Sequence, residues 1–223
     1  GHPAEKYAHF FKAYSSMDAL DIQEHGVADD GVIVGGLIKS VTRKISKKSN
    51  KPFAILQIED LRGSVECMLF GKSYDDFKDL LIPETPIFVT GYIRRGDEEN
   101  SPASISVKSL LSLESMIQTQ TSQLHLHLFE EECSEPLLKS LNEFLLKHSG
   151  NVPVVLCVRL KNGTTVFVEI DRKFYVAPSL ELAQELAELI GNDRFRIKGA
   201  RELPPPQRRF VRDDSAHKEE AAH

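Results

Sequence analysis

Between residues 53 and 70 apolar and polar side chains alternate in two runs, separated by Glu59-Asp60-Leu61-Arg62-Gly63. Ala54, Leu56 and Ile58 line one side of the first run, and Val65, Cys67 and Leu69 line one side of the second. Phe53, Ile55 and Gln57, then Glu66, Met68 and Phe70, fall on the other side. A period of two interrupted in this way predicts an antiparallel hairpin with one face in a core and the other left free. Asp60 suits the turn because its carboxylate reaches nearby N–H groups, and Gly63 because glycine takes positive φ without steric cost.

The pattern extends on both sides of the hairpin. Tyr7, Phe10, Phe11 and Tyr14 recur at helical spacing, a second short turn follows at 18–22, and these aromatics are expected to dock on a neighbouring part of the fold. Residues 32–42 read as a strand whose Gly35-Gly36 suits a bend or bulge. A polar loop at 44–51 leads into the hairpin. Residues 71–81 carry Tyr74, Phe77 and Leu81 at helical spacing, and 87–93 and 104–108 are two further strands joined by a loop at 94–102. Three strands, a helix and two strands is the element order of an OB-fold, a five-stranded partly open barrel. Such barrels bind oligonucleotides or sugars across strands two and three and between the first-to-second and fourth-to-fifth loops.

The second half reads differently. Gln123 to Phe129 alternates leucine with histidine as a strand does; Ser134-Glu135-Pro136 opens a helix with buried Leu137, Leu138, Leu141 and Leu145. Residues 152–160 and 164–170 are strands joined by Lys161-Asn162-Gly163. Phe174-Tyr175-Val176 is a short strand, Ser179 caps a helix carrying Leu182, Leu186, Leu189 and Ile190, and 194–198 is a last strand. The fold class is β plus α/β, an OB barrel followed by a small mixed α/β domain. The expected boundaries are a helical preface at 1–28, the OB domain at 29–114, a linker at 115–122, the α/β domain at 123–198 and a disordered tail at 199–223, where Pro204-Pro205-Pro206 precedes a polar run.

A composition of 41% hydrophobic and 27% charged residues is that of a globular protein, and no apolar run approaches the roughly 20 residues of a membrane span. No membrane partner is expected. Gly1-His2-Pro3 is followed by charged residues rather than an apolar segment, so no secretory signal is expected and the chain reads as a fragment. Cys67, Cys133 and Cys157 are odd in number and scattered. That fits a reducing cytoplasm, with the cysteines as small buried hydrophobes, better than disulfides or a zinc site. His125 and His127 share a strand face, but no further ligand cluster accompanies them in the sequence, so they read as outward-facing strand histidines and no metal is assigned.

The net charge of −5 argues against a nucleic-acid partner until its distribution is considered. Lys39, Arg43, Lys44, Lys47, Lys48 and Lys51 fall between residues 31 and 58 without an acidic residue among them, whereas Glu130, Glu131, Glu132 and Glu135 lie in the second half. An oligonucleotide groove needs cations for phosphates and flat groups for bases. The candidate surface comprises Arg43, Lys44, Lys47, Lys48, Lys51, Phe53, Gln57, Met68 and Phe70, with Arg94 and Arg95 opening the second loop. Asp97-Glu98-Glu99 in that loop would repel phosphate and lower affinity. No catalytic residue set and no glycine-rich phosphate loop is present in a recognisable spacing, so neither an active site nor a cofactor is assigned.

Several of these segments occur together in one known family. His2-Pro3 with Glu5-Lys6-Tyr7, the strand at 32–37, the hairpin with Glu59-Asp60 and Gly63, Tyr74 to Leu80, Val89-Thr90-Gly91, Leu124-His125-Leu126, the helix at 137–146 and the segment 179–196 resemble the C-terminal region of the bacterial DNA polymerase III alpha subunit. The resemblance implies a non-catalytic part of a cytoplasmic DNA-directed DNA polymerase. It implies an OB domain that contacts single-stranded template DNA and a terminal domain that docks the clamp-loader tau subunit; the sliding clamp is a further candidate partner. Where related chains place an aromatic in the second strand this one has Ile55, which implies weaker stacking. Two other readings are an RNA-binding OB module of the synthetase anticodon-binding type and a purely protein–protein scaffold.

Overall fold

A computed structural model describes residues 2–98, 100–200 and 202–207. Helices α1 (Ala8–Tyr14) and α2 (Ala19–His25) precede strand β1 (Gly31–Ile45), then come β2 (Pro52–Glu59), β3 (Ser64–Phe70), helix α3 (Lys72–Phe77), β4 (Pro86–Arg94) and β5 (Ser104–Ser112). The five strands close into a barrel in the order β1-β2-β3-β5-β4. β1 can be 15 residues long because it is shared, pairing with β4 over Gly31–Leu37 and with β2 over Leu37–Ile45. The barrel interior takes one parity of every strand, including Val34, Ile38, Ala54, Leu56, Ile58, Val65, Cys67, Leu69, Val89 and Ile105. This is the OB architecture expected from the element order.

The glycine pair of β1 serves close approach rather than a bulge. A Cβ at Gly35 would lie 2.5 Å from the Phe88 ring, and one at Gly36 would lie 2.9 Å from the Glu59 carbonyl oxygen. The bulge falls at Lys39, which is skipped between the pairs Ile38↔Ile58 and Ser40↔Gln57. The turn between β2 and β3 also differs from expectation, because Gly63 does not take positive φ. It is held through its N–H, which donates to Asp60 Oδ1 at 3.0 Å, as does the Arg62 N–H at 2.8 Å. The other oxygen of Asp60 accepts from the Ala19 N–H at 2.7 Å, and the carboxylate is 7% exposed. Asp60 therefore joins the turn to the first turn of α2, whose own N-cap is Asp18.

Residues 115–122 are not a linker. Helix α4 (Leu113–Gln120) occupies them, with Ser112 Oγ accepting from the Ser115 N–H and Leu113, Met116 and Ile117 buried at helical spacing; Thr121 already begins β6 (Thr121–Phe129). Polar residues on the exposed side of α4 hide that stripe from a reading of composition. Helix α5 (Glu135–Lys147), β7 (Ser149–Val152), β8 (Val154–Arg159), β9 (Thr165–Glu169), α6 (Leu180–Ile190) and β10 (Phe195–Gly199) complete the chain. Four of these strands form a mixed sheet in the order β10-β6-β8-β9, with β6 and β8 parallel. Phe174 closes a short 3-10 turn instead of starting a strand, and Val176 alone bridges to Ser149 and Val152. Residues 123–129 lie within β6, as their alternation predicts, with 124–126 paired on both sides and 127–129 paired with β8.

One face of this sheet packs Leu124, Leu126 and Leu128 against Leu141, Phe144, Leu145, Leu182 and Leu186 of α5 and α6. The same core takes in Phe10, Phe11 and Tyr14 of α1, Met116 and Ile117 of α4, and Phe88 of the barrel. The aromatics of the preface thus bridge barrel and sheet. Burial pushes the Tyr14 phenol up to about 12 against the opposing effect of its 2.5 Å hydrogen bond with Thr121. The start of the tail is also packed. Pro204 is buried beside Gly31, and the Gln207 N–H donates to the Asp29 carbonyl oxygen at 3.1 Å. The remainder of the expected disordered tail, residues 208–223, lies outside the described residues.

Helices α5 and α6 are clasped by Glu185, which accepts from Lys147 Nζ at 2.6 Å and pairs with His148 Nε2 at 2.9 Å. The Lys147 hydrogen bond, then that of His148, pulls the Glu185 carboxyl down to about 2. A depressed carboxyl stabilises the fold above its ordinary value and loses that contribution as pH falls through the folded value. The stability difference between the wild type and Glu185→Gln should therefore be full above about pH 4.5 and vanish as pH approaches about 2. Urea midpoints measured across that window check it.

Candidate nucleic-acid interface

The outward parity of β2 and β3 builds a belt of facing pairs: Phe53↔Phe70, Ile55↔Met68 and Gln57↔Glu66. Their inward neighbours Ala54, Leu56, Cys67 and Leu69 are fully buried, which fixes the register, since a slip of one residue would turn every core group outward. Phe53 and Phe70 stack on one another with centroids 5.0 Å apart and planes 21° from parallel, and Phe70 is 49% exposed. β1 extends the belt, placing Lys44 beside Phe53, Thr42 beside Ile55 and Ser40 beside Gln57. On the far side β5 adds Ser104 beside Glu66 and Ser106 beside Met68. The belt therefore runs from the loop between β1 and β2 at its aromatic end to the return of the loop between β4 and β5.

The loop at the aromatic end is short and ordered. The Ser46 N–H donates to the Lys51 carbonyl oxygen and the Asn50 N–H to that of Ser46, while Asn50 takes the left-handed conformation with φ 52°. Lys47, Lys48 and Lys51 are exposed on it, and Arg43 and Lys44 are exposed at the end of β1. Among the described residues none of these five cations is paired with a carboxylate, whereas Lys39 lies 3.7 Å from Glu59 and Lys72 2.6 Å from Asp76. That hydrogen bond with Asp76 raises the Lys72 ammonium above its ordinary value. A block of unpaired cations beside a solvent-facing aromatic pair supplies both components of an oligonucleotide groove: charge to follow phosphates and flat surface for a base.

Of the predicted residues, Lys44, Lys47, Lys48, Lys51, Phe53 and Phe70 come together at this end. Arg43 carries the parity of Ala54, so it projects to the opposite side of the ladder from Lys44. Met68 lies mid-belt, and Gln57 donates to Ser64 Oγ at 2.9 Å near the hairpin turn. Arg94 and Arg95 do not join them. Arg94 is engaged by Asp29 and by Gln207 Oε1. Arg95 donates to the carbonyl oxygens of Gly26, Ile22 and Gln23, closing the C-terminal end of α2. Their donors satisfy backbone, carboxylate and amide groups of the chain itself, so the second loop offers no free arginine pair. The sequence reading missed Thr42 and Ser106. Only the strand register, which no local pattern carries, brings them to this surface.

A family model described as an OB-fold nucleic acid binding domain matches residues 32–113. The DNA polymerase III alpha subunit of Pasteurella multocida is 25% identical over 197 residues, 88% of this chain and 17% of that protein. That of Saccharopolyspora erythraea is 28% identical over 200 residues, covering 87% and 16%. The chain is similar to the DNA polymerase III alpha subunit. The alpha subunit of Escherichia coli is 23% identical over 208 residues, 89% of this chain and 17% of that one. The chain thus spans only 16–17% of the length of these alpha subunits. Among solved structures, a small single-stranded DNA-binding protein from Streptomyces coelicolor superposes with a TM-score of 0.30 at 11% identity, covering 37% of this chain and 90% of that one. A putative aspartyl-tRNA synthetase from Leishmania major superposes with a TM-score of 0.35 at 15% identity, covering 46% and 21%. No helix among the described residues is long and apolar enough to cross a membrane.

Proposed function

We propose that this chain is a non-catalytic portion of a cytoplasmic replicative DNA polymerase alpha subunit, and that its barrel holds single-stranded template DNA across the belt of β1, β2 and β3. The observation that carries the reading is the cluster of four unpaired lysines, Lys44, Lys47, Lys48 and Lys51, beside the stacked Phe53 and Phe70. Likeness to the alpha subunit over most of the chain supports the polymerase context. In this reading Lys44, Lys47 and Lys48 follow the phosphates, and the exposed face of Phe70 receives a base. The second sheet then docks another replication protein, the clamp-loader tau subunit, which co-sedimentation of chain and subunit tests.

Fluorescence anisotropy with single-stranded DNA, single-stranded RNA and duplex DNA at several salt concentrations tests the binding reading. Single-stranded DNA should bind most tightly, with a slope of log affinity against log salt no steeper than about −2.8, since each of four neutralised phosphates contributes about −0.7. Preference for RNA would point instead to an anticodon-binding type of module, and absence of binding to a protein scaffold. Phe70→Ala should weaken single-stranded DNA binding by about 1 kcal/mol and leave the salt slope unchanged, because a base stack carries no counterion release. Phe53→Ala should cost about as much, and the double variant less than the sum, since each ring holds the other in place.

A further inference from the structure

We propose that His125, His127 and Cys157 bind a single divalent metal ion of the zinc class on the helix-free face of the second sheet. Parallel pairing of β6 with β8 sets His127 beside Cys157 and His125 beside Val155, so thiol and both imidazoles share one face. One ligand atom from each lies within 4.8 Å of the others, and His125 Nδ1 is 3.7 Å from Cys157 Sγ. Tetrahedral zinc, with bonds of about 2.0–2.1 Å to nitrogen and about 2.3 Å to sulfur, separates two such ligands by about 3.6 Å. Little rearrangement is needed.

Two further observations point to a ligand. His125 Nε2 lies 3.0 Å from Gln123 Oε1, an oxygen that can only accept; the ring proton is thereby placed on Nε2 and the Nδ1 lone pair faces Cys157. This is the outer-sphere carbonyl contact that orients metal-bound histidines. His127 Nε2 is buried without a hydrogen-bond partner among the described residues, a state that such atoms rarely keep. Charges facing the cluster come from two elements. Arg196 and Lys198 of β10, opposite His125 and Gln123, oppose a cation, and Glu169 of β9, opposite Val155, favours it. On binding, the thiol releases its proton to solvent, and the thiolate offsets one of the two metal charges. Three protein ligands leave one position for water or an outside donor.

Cobalt(II) titration of the tag-free chain tests the site. One equivalent should bind with a thiolate-to-cobalt charge-transfer band and be displaced by zinc. The band should vanish in Cys157→Ser. His127→Gln should weaken binding by more than about tenfold, since loss of an outer-sphere partner alone costs about 10–100-fold. Lys198→Gln should tighten it. Circular dichroism verifies folding, and if Cys157→Ser does not fold, the partly exposed His125→Gln serves in its place. A folded wild-type chain without the band, a band that survives in Cys157→Ser, or a cobalt affinity unchanged in His125→Gln and His127→Gln overturns the assignment.

Discussion

Lys44, Lys47 and Lys48 changed together to glutamate are expected to lower the affinity for single-stranded DNA by roughly two orders of magnitude and to flatten its salt slope by about 2, at about 0.7 for each phosphate left without its lysine. The effect is large because these residues have no carboxylate partners to release and their charge is free for phosphate. Reversal also sets three anions beside Phe53 and Phe70, so repulsion adds to the missing attraction. The fold should not change. All three are exposed, and the loop is closed by backbone hydrogen bonds of Ser46, Asn50 and Lys51 rather than by lysine side chains. Anisotropy at three salt concentrations beside thermal melts separates the two quantities. Unchanged affinity would remove this loop from the binding surface, and a parallel fall in affinity with an unchanged slope would mean that the lysines do not touch phosphates.

Asp60→Ala is expected to destabilise the chain by about 3–4 kcal/mol, the sum of modest losses from three charge-assisted hydrogen bonds. Its partners are the N–H groups of Ala19, Arg62 and Gly63, and none gains a substitute acceptor from alanine. Asp60→Asn keeps an acceptor for the turn but turns an amide donor toward the Ala19 N–H, so it should recover only part of the loss. Urea denaturation gives both values. Equal stability of the alanine variant and the wild type would show that α2 is anchored by other interactions. Binding should be affected less than stability, because the turn lies at the far end of the belt from Phe53 and Phe70.

The barrel was legible because its signal is local. Period-two runs, the turn residues at 60–63 and a helix before the fourth strand each occupy one short stretch. The lysine loop was legible for the same reason. What the sequence withheld depends on pairs far apart along the chain. Nothing near Arg95 reveals that the carbonyl oxygens ending α2, about 70 residues earlier, would take its donors. Nothing near His127 reveals that a cysteine 30 residues on would lie beside it, since parallel strands are joined by a crossover rather than a turn. Helix α4 is hard to read from composition because Gln118, Thr119 and Gln120 follow its three buried positions. Gly63 suits the turn as a hydrogen-bond donor to Asp60, not through the positive φ that its residue type suggests.

Because Phe10, Phe11, Tyr14 and Phe88 belong to the same apolar cluster as the leucines of the second sheet, scissors placed at residues 115–122 would leave greasy wounds on both pieces. Either half expressed alone should lose solubility, and the intact chain should melt in one step. A strand of DNA on the barrel and a protein on the sheet would then be held at a fixed distance by a shared interior rather than by a tether.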